Sequence, residues 1–195
     1  MKPIEKGRHV YIRSVCDEDF SFLHGIFSDT DELYLWSNLR EGKPFSEFSR
    51  ELSLMLKNTY RHFYIICDSE SYRKIGFIFC YNAHSADGYA YTTAYIIPEY
   101  RDSFYGAEAG LLYYSHLFRY FNYRKLYSEI YSYNNISKEF LESAGFCIEG
   151  VLKQHRYYEN AFHDLYIYCT YRDEFLERFS FIEEQIRKKE EKGHD

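Results

Sequence analysis

The sequence has no long apolar run, and this absence argues against a membrane-spanning helix. No stretch approaches the roughly 20 apolar residues that such a helix needs. The amino-terminal segment MKPIEKGRHV also lacks the apolar core of a signal peptide. We therefore expect a cytoplasmic protein that has no membrane partner.

The sequence also has no basic cluster. It contains 24 basic and 30 acidic residues, which give a net charge of -6. Binding to nucleic acid requires clustered Lys and Arg side chains that neutralise phosphates. The charge pattern therefore predicts no nucleic-acid partner.

Spacing typical of metal ligands or disulfides is missing as well. The five cysteines are an odd number, show no CxxC or CxxH spacing and lie mostly in apolar segments. They are Cys16, Cys67, Cys80, Cys147 and Cys169. The histidines at positions 84, 116, 155 and 163 are not spaced like metal ligands either. We expect free thiols in a reducing compartment and no bound metal.

Aromatic residues are abundant. The chain has 23 tyrosines and 17 phenylalanines, and 21% of its residues are aromatic. Tyrosine fills a core while keeping its hydroxyl at a wet edge, so packing in the core and at its rim is the first interpretation. Stacking on nucleic-acid bases is disfavoured by the acidic balance. A homodimer surface covered by tyrosines remains an alternative.

Length and pattern indicate one domain. With 195 residues and 46% apolar composition, the chain can bury one large core. Apolar spacing predicts the order β-α-α-β-β-β-α-β-α-β-β, in which the turn SESYR joins two strands of a hairpin. We expect a single domain over residues 1–180 and a charged tail over residues 181–195.

The segment PEYRDSFYGAEAG, residues 98–110, lies between a predicted strand and a predicted helix. Unpaired backbone N–H groups at a helix start favour an anion such as a diphosphate. Arg101 would add a cation and Ser103 a hydroxyl donor, while Gly106 and Ala107 leave room for a ligand. An ordinary turn between a strand and a helix is the alternative.

Two motifs around this segment resemble those of the GNAT acetyltransferases, and of their ribosomal-protein and polyamine acetyltransferase branch in particular. The first is the coenzyme A turn of the family, matched by Pro98, Arg101, Gly106, Ala107, Glu108 and Ala109. The second is matched by Asn134, Ser137, Gly145, Phe146, Glu149 and Gly150. Asp164 matches a further position in the last hairpin. The similarity extends from about His9 to Phe175.

The resemblance implies an α/β GNAT fold, with a mixed and mostly antiparallel sheet of six to seven strands flanked by helices. It implies an N-acetyltransferase that moves an acetyl group from acetyl-CoA, without a metal, to the primary amine of a small molecule or a peptide. The coenzyme would be bound by Ile96, Ile97, Arg101, Ser103, Phe104, Tyr105, Gly106, Ala107 and Asn134. Backbone N–H groups around Ile96 and Ile97 would hold the thioester carbonyl. Ser137 and Asn134 are the catalytic candidates.

Four departures from the family pattern keep alternatives open. Asp102 and Phe104 replace two glycines of the turn, Thr92 stands where many relatives have a glutamate base, and Leu141 replaces a tyrosine acid. Ser137 is then the nearest hydroxyl, with helix capping as its alternative role. A missing base favours an α-amine or amino-sugar acceptor, which loses its proton more easily than a lysine-like amine. A weakly active or inactive module that binds coenzyme A or a partner protein is the rival interpretation.

Overall fold

Eight strands form one mixed sheet with helices on both faces. The structure is a computed structural model, and it describes residues 2–37, 41–58, 60–101 and 104–180. The predicted tail over residues 181–195 lies outside the described residues.

The strands follow the spatial order β1-β2-β3-β4-β5-β6-β8-β7. Their bounds are β1 (Glu5–Lys6), β2 (Val10–Ser14), β3 (Tyr64–Asp68), β4 (Lys74–His84), β5 (Tyr89–Ile96), β6 (Lys125–Tyr131), β7 (Cys147–Tyr158) and β8 (Ala161–Tyr171). The helices are α1 (Phe20–Ser28), α2 (Thr30–Trp36), α3 (Phe45–Leu56), α4 (Phe104–Tyr120), α5 (Asn135–Ser143) and α6 (172–180). A short 3₁₀ turn, Pro98–Tyr100, leads from β5 towards α4.

The expected count of six to seven strands was too low. The additional strand is β1, which has two residues and pairs with β2. Two residues show no periodicity, so sequence pattern cannot reveal such a strand. Helices α2 and α6 were not expected either.

Each face of the sheet has its own core. On one face α4, α5 and α6 cover β2 to β6 and β8, and buried Tyr113, Leu117 and Leu141 are part of this core. On the other face α1 and α3 pack on β2 to β5, around buried Leu23 and Phe77. The second face lies open beyond β5, where Tyr91 and Tyr127 stack with ring centroids 4.8 Å apart. Much of the aromatic content therefore serves packing.

Strands β5 and β6 separate at one end. They pair in parallel from Tyr89↔Lys125 to Thr92↔Ser128, whereas the other strand pairs of the described sheet are antiparallel. Both strands continue past the last pair, β5 to Ile96 and β6 to Tyr131. A wedge therefore opens inside the sheet, beside the start of α4. Within the described part of the chain, no helix is long and apolar enough to cross a membrane.

Candidate active site

A cavity of about 200 Å³ lies at the wedge between β5 and β6. Leu35 and Trp36 of α2 form one wall, and Glu129 and Ile130 of β6 form another. The remaining lining residues come mainly from β5, α4 and α5. The cavity therefore brings together the two motifs that the sequence places about 30 residues apart.

Backbone N–H groups of β5 face this wedge. The Ile97 N–H donates to the Ile75 carbonyl at 2.9 Å, so Ile97 faces β4. Hydrogen-bonded pairs alternate along an antiparallel ladder. The N–H of Tyr95 therefore also points to β4, whereas the N–H groups of Ile96 and Ala94 point into the wedge. The Ile96 N–H is thus available at the wedge, as expected, whereas the Ile97 N–H is bonded to β4. The Ala94 N–H is a further available donor that the sequence did not indicate.

Small residues at the start of α4 lie against β5. Gly106 and Ala107 line the cavity, as the sequence suggested. A Cβ atom added at Gly106 would lie 3.4 Å from Ile96 Cγ1, in van der Waals contact, so the start of α4 packs directly on β5 here. The N-terminal N–H groups of this helix favour an anion at its start. Ser103 and Asp102 lie outside the described residues.

Phe104 and Tyr105 point away from the cavity wall. Phe104 is 54% exposed, and its ring lies 4.1 Å from the ring of His9. Tyr105 packs edge-on against Tyr100 at 5.2 Å. Both residues lie at the start of α4, and neither lines the cavity.

Arg101 lines the cavity and is bound to α2. Its Nε donates to the Ile96 carbonyl at 2.8 Å, its Nη2 forms an ion pair with Glu32, and its guanidinium lies 5.0 Å from the centre of the Tyr95 ring. Burial opposes the charge of the guanidinium, but Glu32 outweighs this effect and raises the pKa of Arg101. The predicted phosphate-binding arginine is therefore already paired with a carboxylate.

Thr92 belongs to a buried group of hydroxyls. It is 3% exposed, its Oγ1 donates to the Tyr127 carbonyl at 2.9 Å, and it lies 2.8 Å from Ser128 Oγ. The Tyr114 hydroxyl is next to both, and burial raises its pKa. These groups are neutral at physiological pH, so the position of Thr92 provides no carboxylate base.

Glu129 provides the carboxylate that Thr92 does not. It follows Ser128, the last β6 residue paired with β5, and it lies exposed in the cavity wall. Its Oε2 accepts a hydrogen bond from the Tyr81 hydroxyl at 2.8 Å. Burial and the charge of Glu129 both raise the pKa of Tyr81, so the hydroxyl stays a donor. An acidic residue inside the apolar strand KLYSEIYS is the sequence signal that could have identified it.

Asn134 and Ser137 both line the cavity at the start of α5. The Asn134 side-chain oxygen accepts the Ser137 N–H at 3.2 Å, so Asn134 caps the helix and the Ser137 hydroxyl is not the cap. Leu141, one turn further along, is buried in the same wall.

Two acidic residues that match the family pattern, Asp164 and Glu149, lie outside the cavity wall. Asp164 accepts hydrogen bonds from Lys153 Nζ at 2.8 Å and from the Gln154 N–H at 2.9 Å, which fastens the β7–β8 hairpin. Glu149 forms an ion pair with Lys125. Their contacts are structural, and hairpin bonding is the role of Asp164 in this structure.

Comparison with known proteins agrees with this geometry. A family model described as an acetyltransferase (GNAT) domain matches residues 12–167. A spermidine N-acetyltransferase from Vibrio cholerae, solved with CoA and spermine, has a TM-score of 0.80 and 16% identity over 86% of this chain and 98% of its own. RimL, a ribosomal L7/L12 α-N-protein acetyltransferase solved with coenzyme A, has a TM-score of 0.77 and 15% identity over 87% and 98%. A search of curated proteins found no match. The structural likeness concerns the fold, and it confirms the expected fold class.

Proposed function

The chain belongs to the GNAT acetyltransferase family, and from this premise we propose that it moves an acetyl group from acetyl-CoA directly to a primary amine. The observation that carries the proposal is the position of Glu129, a carboxylate at the wedge between β5 and β6. Direct transfer needs a donor for the thioester carbonyl, a proton acceptor for the amine and a proton source for the thiolate. The cavity walls offer one candidate for each.

Acetyl-CoA supplies the activated acetyl group as a thioester. Its pyrophosphate fits the start of α4, where Gly106 and Ala107 leave the backbone accessible and the helix dipole favours an anion. The N–H groups of Ala94 and Ile96 face the wedge and would hold the thioester carbonyl. Arg101 would reach the phosphates by leaving Glu32.

Glu129 would accept the proton of the attacking amine. A lysine-like amine with a pKa of about 10.4 costs roughly 4.6 kcal/mol to deprotonate at pH 7, and an α-amine only about 1 to 1.4 kcal/mol. A carboxylate beside the amine offsets part of this cost, so the departure at Thr92 no longer restricts the acceptor to amines of low pKa. The Tyr81 hydroxyl holds one carboxylate oxygen, which leaves the other for the amine.

Ser137 would donate the proton that the departing thiolate needs, and the proton that Glu129 takes from the amine would return to Ser137 through solvent. Its hydroxyl lines the cavity near the start of α5, and Asn134 fixes the backbone of Ser137 through the cap. A serine hydroxyl is a weak acid, so we expect its contribution to be smaller than that of Glu129.

The test is an assay of acetyl-CoA with a panel of small amines, read by mass spectrometry of the amine and by release of free CoA. We expect one acetylated amine for each CoA released. Stoichiometric CoA release without an acetylated amine, or no release with any amine, would contradict the proposal.

A module that binds the coenzyme without turnover is the second candidate, and the ion pair between Arg101 and Glu32 favours it. Such a module would show a raised melting temperature with acetyl-CoA and no product with any amine. We also propose that the protein is cytoplasmic, because its cysteines are odd in number, show no CxxC spacing and lie mostly in apolar segments.

A further inference from the structure

A cluster of tyrosines joins α2 to the β7–β8 hairpin beside the cavity. We call Tyr34, Tyr133 and Tyr158 the tyrosine clamp. Tyr34 of α2 stacks on Tyr158 at the end of β7, with ring centroids 4.4 Å apart and planes 8° apart. Tyr133, which follows β6, packs against both rings at 5.8 and 4.9 Å. The clamp therefore connects three separate parts of the chain.

Polar contacts hold the clamp closed. The Tyr133 hydroxyl donates to the Tyr34 carbonyl at 2.7 Å. Arg156 Nη1 donates to the Ser37 carbonyl at 2.8 Å and to the Tyr131 hydroxyl at 3.1 Å. Tyr34, Ser37 and Arg156 are all partly buried. Because these bonds are accepted by backbone carbonyls of α2 and of Ser37, which follows it, they fix the backbone at the end of the helix and not only its side chains.

The clamp borders the side from which an acceptor would enter. If the coenzyme lies along the start of α4, the acceptor approaches between the α2 wall and the β6 wall. Leu35 and Trp36 form the α2 wall, and their neighbours Tyr34 and Ser37 are the residues bound to the hairpin. The clamp thus fixes the α2 wall of the cavity to the hairpin.

We propose that the tyrosine clamp restricts the acceptor to a small primary amine and excludes the amino terminus of a peptide or protein. This inference rests on the proposed function and specifies its substrate class. The cavity of about 200 Å³ is below the usual range of about 300 to 1,000 Å³ for ligand pockets, and it must also hold the reacting end of the coenzyme.

A peptide acceptor would have to lead its backbone out between α2 and the hairpin. The rings of Tyr34 and Tyr158 are already in contact at 4.4 Å, so no backbone passes between them. A slender amine needs no such exit.

The test compares two acceptors that carry the same α-amine. The first is glycinamide, and the second is an eight-residue peptide amide that begins with glycine. We expect kcat/KM to be about 30-fold higher for glycinamide with the full chain. Equal or better use of the peptide by the wild type would overturn the inference while leaving the proposed function intact. If no small amine is acetylated at all, the proposed function fails and this inference falls with it.

Opening the clamp should remove the discrimination. In Tyr158→Ala we expect kcat/KM for the peptide to rise about tenfold and that for glycinamide to stay unchanged. Tyr157→Ala is the matched control, because Tyr157 is 49% exposed and packs on Phe162 of the hairpin. A Tyr158→Ala enzyme that keeps its melting temperature and the wild-type preference would overturn the inference. If Tyr158→Ala unfolds, Arg156→Lys takes its place, because lysine loosens the contact with Ser37. We then expect the ratio of kcat/KM for glycinamide to that for the peptide to fall. An unchanged ratio would overturn the inference.

Discussion

Glu32 and Arg101 form an ion pair that connects α2, one wall of the cavity, to the residue that follows the 3₁₀ turn after β5. The side chains are 18% and 24% exposed, so the pair is partly shielded from water. Arg101 is also the residue expected to meet the coenzyme pyrophosphate. Glu32 and the pyrophosphate therefore compete for one guanidinium.

This competition predicts opposite effects of two substitutions on coenzyme affinity. Glu32→Gln frees the guanidinium, so we expect the Kd for acetyl-CoA to fall about threefold to tenfold. We expect Arg101→Ala to raise this Kd by about tenfold, because a hydrogen bond to a charged group contributes about 1.5 to 3 kcal/mol. The double variant should behave like Arg101→Ala. Isothermal titration with acetyl-CoA measures all three, and unchanged affinity in Arg101→Ala would leave Arg101 a purely structural residue.

The hydrogen bond from Tyr81 should matter to the rate more than to binding. Tyr81→Phe leaves Glu129 without its donor, so the carboxylate loses its fixed orientation and we expect kcat to fall about tenfold with KM for acetyl-CoA unchanged. Tyr127→Phe is the matched control, because Tyr127 donates to Glu149 on the same face of the sheet. Equal losses of kcat in the two variants would show that the hydrogen bond from Tyr81 to Glu129 has no specific effect on the rate.

Two residues at the start of α5 have different expected roles: Asn134 stabilises the helix, and Ser137 takes part in the reaction. Asn134→Ala removes the cap, so we expect the free energy of unfolding to fall by about 1 kcal/mol. Ser137→Ala should keep that stability and lower kcat by about threefold to tenfold, if the hydroxyl delivers the thiolate proton. Urea unfolding and steady-state kinetics distinguish the two, and a Ser137→Ala enzyme with full kcat would remove Ser137 from the mechanism.

Stability at acidic pH should depend on His62. Burial first, and the charge of His116 second, lower the pKa of His62 from its ordinary value of 6.5 to about 4. Between pH 6.5 and 4 the His62 imidazole binds a proton in the unfolded chain but not in the folded chain. The free energy of unfolding therefore keeps its full contribution from His62 above pH 6.5 and falls by about 2 to 3 kcal/mol as the pH falls to 4.

The substitution that tests this is His62→Asn. Asparagine tolerates the φ of 36° that His62 adopts. Urea unfolding at several pH values should show a flatter acid dependence for this variant, whereas exposed His155→Asn should behave like the wild type. An identical acid dependence in His62→Asn and the wild type would contradict the assignment.

Much of the fold could be predicted from the sequence because its elements have clear periodicity. The helix that follows the Pro98–Tyr100 turn and the hairpin around SESYR both lie where the pattern indicates. The site could be predicted only in part. Arg101, Gly106, Ala107, Asn134 and Ser137 do meet at one cavity.

The rest of the site depends on long-range packing that sequence pattern does not encode. Glu129 becomes a candidate base only because β6 separates from β5 immediately before it. The pairing of Arg101 with Glu32 joins residues far apart in the chain, through a helix that has only seven residues and was not expected. Backbone donors such as Ala94 are independent of side-chain identity, so the sequence cannot indicate them.

The most direct test of the central claim is the transfer step of Glu129→Gln, measured in a single turnover with bound acetyl-CoA and glycinamide. At about pH 6.5, where an α-amine of pKa about 7.7 to 8.0 is mostly protonated, we expect the step to slow by about 100-fold. Near pH 9.5 the amine is already neutral, so the defect should shrink to a few fold, while acetyl-CoA affinity stays that of the wild type at both pH values. A Glu129→Gln enzyme that transfers acetyl at the wild-type rate at pH 6.5 would contradict the account.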